Sequence, residues 1–384
     1  MHILYYNWSE NSSDDIKDCF VQMGFSYTSV SYPVNDYDSD AGFEQFLQKT
    51  ISENNFDLIF TFNYFPVLSK VADTHSLPYL CWVYDCPHLT LYSRRVTSPY
   101  TFFFLFDREM CQTLSSFGAL HVAHMPLAVN TSRLSEYAAS PCNKMYPISF
   151  VGSLYEKNMY RRISYLPDHL KGYLDGIINA QQQMKTGTVL EELLTDDLTK
   201  KLLQLIQLDK QSLYLYSARD IYLSMLEAEV TFRERTKLLT LAAGLCETHL
   251  FTASDPTLVS GCIPHGFISY TEEMPKVFHN SAINLNISLR SIHSGIPLRC
   301  MDIMGAGGFL LSNCQPELAE YFKPGEDFAT FFSEAEFLEK IAYYSEHERE
   351  RTEIAYNGCL KMKERFNYPA LFQKMLDAVS ADIS

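Results

Sequence analysis

The sequence contains no run of about 18 apolar residues, the length that a membrane-spanning helix needs, so no integral membrane segment is expected. Basic residues are scarce: 31 Lys and Arg stand against 46 Asp and Glu, and the formal net charge is −15. This surplus of negative charge argues against nucleic acid or an anionic membrane as the main partner. The N-terminus turns acidic after one short apolar run, unlike a signal peptide or a lipidation site. We therefore expect a cytoplasmic protein.

Regular cysteine and acidic motifs are also missing. The 10 cysteines form no CxxC pair and no regular framework, and the closest two are Cys81 and Cys86. In a chain of this length they indicate reduced, mostly buried thiols, as is typical of a cytosolic protein. No acidic pair of the DxD type follows a predicted strand, so we expect neither a bound metal nor a resident cofactor.

The composition is that of a globular protein, with 47% hydrophobic and 20% charged residues. A chain of 384 residues exceeds what one core usually supports, so two domains are expected. Strands alternate with helices in the first part of the chain and again from residue 146, which predicts an α/β fold with parallel, doubly wound sheets. Strands are predicted at residues 3–6, 27–32, 58–62, 79–84, 100–106, 148–151, 249–253, 267–270, 282–287 and 309–311.

The stretch between the first two strands of the second sheet has a different texture. Leu190, Leu193, Leu194 and Leu198 have helical spacing, which continues through most of residues 160–244. We predict a helical insertion there. The expected domains are residues 1–145, then 146–368 with the insertion at about 157–245, and a C-terminal helix at 369–384. Residues 130–144 are polar and are interpreted as a linker.

Residues 294–312 are the most informative stretch. Ser294, Gly295 and Ile296 precede a proline, a helix is predicted at 298–304, and glycines end it before a short apolar strand. A helix N-terminus at a crevice binds anions, and Asp302 inside the helix could accept hydrogen bonds from a ribose. This combination suits a nucleotide diphosphate. The alternative is an ordinary helix-to-strand connection in a parallel sheet.

Further candidates lie at neighbouring strand ends. Asn286 ends a predicted strand, and Arg290 and His293 follow it. Arg290 and Arg299 would flank a phosphate, although each alone is equally consistent with a surface charge. A tight turn at Gly152 and Ser153 could bring backbone N–H groups to the same phosphate.

In the first domain, Asp85 and His88 follow the fourth predicted strand, where parallel sheets bind ligands. An acid and a histidine at that place could supply a general base. The alternative is that Asp85 caps the following turn and His88 packs against the protein.

A family resemblance runs along most of the chain. It is carried by Pro78, Tyr79, Trp82, Asp85, Pro87 and His88, by Phe106 and Asp107, by Leu127 and Ala128, by residues 149–154 and 173–177, by Leu285 and Asn286, by residues 299–308 and 323–327, and by Ala355 with Gly358. In order and coverage these residues resemble the CgeB-like, or spore maturation type, glycosyltransferases of bacteria. In that family an N-terminal domain of uncharacterised type precedes a group-1-like transferase domain.

The resemblance implies a GT-B fold, with two Rossmann-like domains facing a cleft and the last helix returning to the first domain. It places Asp302 where related enzymes carry a Glu that holds the donor ribose. This departure implies a closer approach of the ribose or weaker donor binding. It also places the loop 294–297 beside the sugar diphosphate, Gly152 and Ser153 along the donor side, and Tyr270 near the base. Arg299 matches the arginine that precedes the ribose-binding acid in the family.

The expected function is transfer of a sugar, without a metal, from a nucleoside-diphosphate sugar to a protein or cell-surface glycan acceptor. UDP is the candidate nucleotide because it is frequent among such enzymes. A base at Asp85 or His88 is needed if the configuration inverts, and not if it is retained. Two alternatives remain open: a non-catalytic binding or partner subunit with the same fold, and a nucleotide-sugar epimerase.

Overall fold

The computed structural model describes residues 1–139, 144–184, 187–208 and 214–383. The chain divides into two compact units. The first contains Met1–Asn130, residues 214 and 215, and the C-terminal stretch from Arg365. The second contains the other described residues between 131 and 364.

The first unit is built on a six-stranded parallel sheet. Its strands are β1 (His2–Tyr6), β2 (Ser26–Val30), β3 (Leu58–Phe62), β4 (Tyr79–Val83), β5 (Thr101–Leu105) and β6 (His121–His124), in the spatial order β2-β1-β3-β4-β5-β6. Its first four helices are α1 (Ser13–Gln22), α2 (Ala41–Ser52), α3 (Pro66–His75) and α4 (Arg108–Ser116). Every residue of β3, β4 and β5 is buried, as expected for parallel strands covered on both faces.

The C-terminal helix, Tyr368–Ile383, packs within the first unit. The ring of Phe372 lies 5.2 Å from that of Phe20 on α1 and 5.4 Å from that of Phe60 on β3. These rings are arranged edge to face, and such pairs stabilise the folded protein beyond the burial of their apolar surface. One face of the first sheet is therefore covered in part by the end of the chain.

The second unit contains another six-stranded parallel sheet. Its strands are β7 (Tyr146–Val151), β8 (Thr248–Phe251), β9 (Ile263–Pro264), β10 (Ser281–Asn286), β11 (Leu310–Asn313) and β12 (Ala329–Phe331), in the spatial order β12-β11-β10-β7-β8-β9. Its helices are α5 (Thr131–Ala138), α6 (Asp168–Gln183), α7 (Leu190–Leu193), α8 (Asp196–Leu205), α9 (Ala218–Leu245), α10 (Glu273–Asn280), α11 (Leu298–Gly305), α12 (Pro316–Tyr321), α13 (Glu334–Glu346) and α14 (Glu348–Arg365). The predicted α/β class with two parallel, doubly wound sheets is confirmed.

The connections of the second sheet create a topological switch point. From β7 the chain continues to β8 and β9 on one side, and then returns to β10 on the other side of β7. Loops that leave β7 and β10 at their carboxyl ends therefore diverge and open a crevice. Ligands of open α/β sheets bind at such a crevice.

Helices fill the described chain between β7 and β8. Leu174 and Ile178 of α6 pack with Tyr222 and Leu226 of α9 in a core of their own. The 28-residue helix α9 begins with a capping box, in which Ser217 accepts from the backbone N–H of Asp220 and the Asp220 carboxylate accepts from that of Ser217. The packed core and the capping box both stabilise this long helix, which extends to the parallel sheet of the second unit.

Two local predictions were wrong, and strands β6, β9 and β12 were not among the predicted strands. Residues 267–270 do not form a strand, because the edge strand β9 lies earlier, at Ile263–Pro264. The predicted linker at 130–144 contains helix α5, which packs against α10 and α11, and its residues 140–143 lie outside the described part of the chain. None of the helices in the described ranges combines the length and the apolar character that a membrane crossing needs.

Candidate functional site

The candidate site lies at the carboxyl ends of β7 and β10 in the second unit. Two loops leave the sheet there, residues 152–155 after β7 and residues 287–297 after β10. The second loop leads directly into the N-terminus of α11. Residues 294–312, in which the sequence predicts a helix N-terminus followed by a glycine turn and a strand, thus begin at the switch point of the sheet.

The loop after β7 is fixed by hydrogen bonds from its backbone to the end of β8 and to Ser254. The N–H of Gly152 donates to the carbonyl of Phe251 at 3.0 Å, and the N–H of Leu154 donates to Ser254 Oγ at 2.9 Å. Tyr155 adopts a left-handed backbone conformation, with φ of 65°. That conformation is uncommon for a bulky residue, and it turns the chain sharply away from the sheet.

The loop after β10 is held by buried side chains. Asn286 Nδ2 donates to the hydroxyls of Ser288 and Ser312, each at 2.9 Å. Ser294 Oγ donates to Glu317 Oε1 at 2.7 Å, and Gly295 and Ile296 are buried. Asn286 and Ser294 therefore support the loop from inside the protein.

Arg290 and His293, two of the predicted donor-site residues, are paired with carboxylates of α9. Arg290 donates through Nε and Nη2 to the two carboxylate oxygens of Glu234, at 2.8 and 2.5 Å. Burial lowers the pKa of Arg290, but the Glu234 carboxylate outweighs burial and leaves this pKa above its usual value. His293 Nε2 lies 2.9 Å from Glu227 Oε1. Both side chains hold the loop to α9.

Arg299 and Asp302 lie on the first turns of α11. The Arg299 guanidinium is 5.2 Å from the ring centroid of Phe278 and contacts the sulfur of Met274. Within the described ranges, no carboxylate lies within ion-pair distance of Arg299. Burial lowers its pKa, and the nearby Asp302 opposes this shift. Asp302 is only 5% exposed, and it accepts a hydrogen bond of 3.0 Å from Tyr270 Oη.

Tyr270, predicted near the base, is placed beside the acid of α11. Its ring lies 5.6 Å from the guanidinium carbon of Arg133, which also donates to the carbonyl of Thr271 at 3.2 Å. The structure thus brings Tyr270, Asp302 and Arg299 together on one side of the α11 N-terminus. Gly152 and Ser153 lie on the loop of the neighbouring strand β7.

Arg235, on α9, was not among the site residues predicted from the sequence. Its Nε and Nη2 donate to the carbonyl of Ile287 at 2.9 and 2.6 Å, and its Nη1 donates to the carbonyl of Ser153 at 2.5 Å. No acidic side chain in the described part of the chain pairs with it. Burial lowers the pKa of Arg235 to about 10, and Tyr155 opposes the shift. Its position in a helical stretch gave no signal, because only tertiary folding brings it to the two loops.

The arrangement favours an anion. A buried guanidinium that bonds only to carbonyls keeps most of its positive field, and a low dielectric strengthens that field. The N-terminus of α11 adds unpaired backbone N–H groups and the positive end of the helix dipole. The helix itself is stopped by a Schellman motif, in which the N–H of Gly308 donates to Ile303 O at 2.9 Å and that of Gly307 to Met304 O at 3.0 Å.

Within the described residues, no group of three or more His, Cys, Asp or Glu side chains is arranged to hold a metal ion.

In the first unit, Asp85 and His88 lie beyond the carboxyl end of β4. Asn63 follows β3 with φ of 60°, and its Nδ2 donates to Asp85 Oδ2 at 2.7 Å. Asn63 Oδ1 accepts from the N–H groups of Tyr84 and Asp85, both at 3.2 Å. The Asp85 carboxylate is exposed and held in one orientation.

His88 has a different environment. Its Nε2 accepts from the N–H of Tyr64 at 3.1 Å and lies 2.7 Å from Thr90 Oγ1. Nε2 also lies 3.2 Å from the Tyr64 carbonyl oxygen, but it accepts from the Tyr64 N–H only when it carries no proton, and that contact favours neutral imidazole. Burial lowers the pKa of His88 in the same direction, although Asp85 opposes the shift. Whether either residue is a general base stays a prediction.

The pH dependence of stability should reveal the lowered pKa of the half-buried His88. Below pH 6.5, the ordinary pKa of histidine, the unfolded chain takes up a proton at His88 that the folded protein does not. The free energy of unfolding should therefore decrease as the pH falls. His88→Gln keeps an acceptor for the Tyr64 N–H and does not titrate, so this part of the decrease should disappear. Urea unfolding between about pH 5 and 8 measures it, and equal slopes in both proteins would contradict the assignment.

The comparisons with known proteins concern the fold and one part of the chain. Residues 254–377 match a family described as glycosyl transferase-like. A curated relative from Aquifex aeolicus, described as an uncharacterized protein, is 29% identical over 102 residues. That alignment spans 26% of this chain and about a quarter of the relative's own length.

Solved structures resemble the chain along its whole length. Sucrose-phosphate synthase from Thermosynechococcus elongatus has a TM-score of 0.57 at 10% identity and covers 99% of this chain and 98% of its own. A glycosyltransferase from Rickettsia africae has a TM-score of 0.54 at 10% identity, with 100% and 98% covered. HepE from Anabaena, in complex with UDP and glucose, has 0.52 at 11% identity, with 99% and 100% covered. The chain therefore has the GT-B fold, and its residues 254–377 match the glycosyl transferase-like family.

Proposed function

We propose that this protein transfers a sugar from a nucleoside-diphosphate sugar to a protein or cell-surface glycan acceptor, without a metal ion. The observation that carries the proposal is the pair of guanidinium groups, Arg299 and Arg235, at the switch point of the second sheet. Neither has a carboxylate partner in the described ranges, and both lie at the loops that surround the N-terminus of α11. The match of residues 254–377 to a glycosyl transferase-like family supports the same reading.

The proposed donor roles follow from position. The diphosphate accepts hydrogen bonds from the α11 N-terminus and from Arg299, which stabilise the negative charge that develops on the leaving group. Asp302, held by Tyr270 Oη, accepts hydrogen bonds from the ribose hydroxyls. Gly152 and Ser153 line the donor from the β7 side. HepE was solved with UDP and glucose and with UDP-glucose, which supports UDP as the first nucleotide to test.

The proposed roles of the other predicted residues are indirect. Arg290 and His293 hold the loop after β10 to α9 through Glu234 and Glu227. Asn286, Ser294, Gly295 and Ile296 shape the same loop from within. If the reaction inverts the anomeric carbon, Asp85 is the better candidate base, because Nε2 of His88 is already bonded to the backbone. The CgeB-like subtype also stays a proposal.

The test is release of nucleoside diphosphate from a panel of UDP-, GDP-, ADP- and dTDP-sugars, without an added acceptor. We expect release from one donor by the wild type and loss of release in Asp302→Ala. Asp197→Ala, which removes an exposed acid from α8, is the matched control and should behave as the wild type.

The other outcomes separate the alternatives. A thermal shift with one nucleotide but no turnover, even with acceptor lysates added, indicates a binding subunit. Conversion of the donor sugar while the diphosphate stays attached indicates an epimerase. A protein that neither binds nor cleaves any donor contradicts the proposal.

A further inference from the structure

One face of α9 bonds to the loop after β10 along the length of two helical turns. Glu227, Thr231, Glu234 and Arg235 have the spacing i, i+4, i+7 and i+8, which puts them on one side of a helix. Glu227 contacts His293, Thr231 Oγ1 accepts from the N–H of Arg290 at 3.0 Å, and Glu234 pairs with the Arg290 guanidinium. Arg235 donates to the carbonyl of Ile287. The helical insertion therefore provides the surface against which the loop after β10 packs.

Arg235 differs from the other three because it reaches both loops of the candidate site. Two of its N–H groups bond to Ile287 O, after β10, and a third bonds to Ser153 O, after β7. The guanidinium also lies 5.4 Å from the ring centroid of Phe150 and 5.0 Å from that of Tyr155. Two aromatic faces and two carbonyls thus fix its plane.

We propose that Arg235 is the positioning residue of the donor site, which sets the separation of the two loops at the switch point through Ser153 O and Ile287 O. This inference rests on the proposed function. Gly152 and Ser153 of the first loop line the proposed donor site, and the second loop leads into the N-terminus of α11, so a shift of either loop would move groups that bind the donor. The effect of Arg235 reaches the donor through the loops, without direct contact.

Lysine tests this geometry while keeping the charge. A guanidinium is a planar fork that can bond to two carbonyls at once, whereas an ammonium is a point charge on a flexible stem. Arg235→Lys therefore preserves the positive charge and removes the fixed connection between the loops. The matched control is Arg233→Lys on the same helix. Arg233 pairs with Asp175 at 2.5 Å and with Glu229 at 2.9 Å, inside the helical insertion.

The experiment measures amide hydrogen exchange in the full-length protein, together with UDP affinity by titration calorimetry. In Arg235→Lys we expect exchange to become about tenfold faster in residues 152–155 and 287–293 only, and UDP to bind about tenfold more weakly, which equals a coupling of about 1.4 kcal/mol. Arg233→Lys should change neither quantity. Should Arg235→Lys fail to fold, Tyr155→Leu removes one ring that holds the guanidinium and carries the same expectation.

Two failures are distinguishable. Unchanged exchange in the two loops of Arg235→Lys, in a protein whose wild type binds a nucleoside diphosphate, overturns the positioning role alone. A uniform increase in exchange over the whole second unit also overturns it, because that result describes a general loss of stability. A wild type that binds none of UDP, GDP, ADP and dTDP overturns the proposed function, whatever the exchange shows.

Discussion

Replacing Arg299 with methionine should lower the rate of donor cleavage by about 10²–10³-fold, while the protein stays folded. This is the effect expected when one preorganised charge-stabilising donor is removed from a water-poor site. Arg299 is suited to that role because its guanidinium packs on the Phe278 ring and beside Met274, and has no carboxylate partner within the described residues. Methionine keeps the unbranched stem, so packing against these neighbours is largely preserved.

The comparison with lysine refines this prediction. Arg299→Lys keeps the charge but loses the fork, so its rate should fall between those of the wild type and Arg299→Met. Arg349→Met, at an exposed position of α14, is the control for a general loss of one positive charge. Steady-state release of the nucleoside diphosphate gives kcat and KM for each protein. Equal kcat in the wild type and Arg299→Met would remove Arg299 from the proposed leaving-group site.

Replacing Gly308 with alanine should destabilise the protein by about 1–3 kcal/mol, the usual result of overpacking a filled interior. An added Cβ would lie 2.7 Å from the carbonyl of Phe278, 2.8 Å from Asn284 Nδ2 and 3.1 Å from the carbonyl of Ile303. Two of these three atoms belong to the backbone and cannot rotate away. The strain would fall on the turn between α11 and β11, which also orients Asp302.

Gly176→Ala is the matched control and should have the opposite sign. Gly176 lies inside α6, and its added Cβ would meet no atom within 4 Å. Alanine should stabilise this helix position by about 0.5–1 kcal/mol, because it restricts the unfolded chain and favours the helix. Urea unfolding of the two variants measures both effects. A Gly308→Ala protein as stable as the wild type would contradict the close packing described at this turn.

Periodicity predicted the elements whose local pattern agrees with their environment. Residues 58–62 form β3 as predicted, since a short run that is apolar except for Thr61 is typical of a buried parallel strand. The short helix before Gly307 was also predicted closely, because proline and glycine mark its two ends. In the same stretch, Asp302 could be placed inside the helix from the sequence alone.

The features that could not be predicted from the sequence depend on tertiary contacts. Strand β9 consists of two exposed residues, Ile263 and Pro264, whose conformation depends on pairing with β8. The ion pairs of Arg290 and His293 could not be predicted either, because Glu234 and Glu227 lie in a distant helix. Arg235 shows the same limit most clearly, since its two carbonyl partners lie on loops far apart in the chain.

The most direct test of the central claim is a crystal structure of the protein grown with UDP. We expect a diphosphate at the N-terminus of α11, with an Arg299 nitrogen about 3 Å from a phosphate oxygen. We also expect the ribose hydroxyls to donate hydrogen bonds to the Asp302 carboxylate. UDP bound elsewhere in the second unit, or only in the first unit, would contradict the assignment of this site.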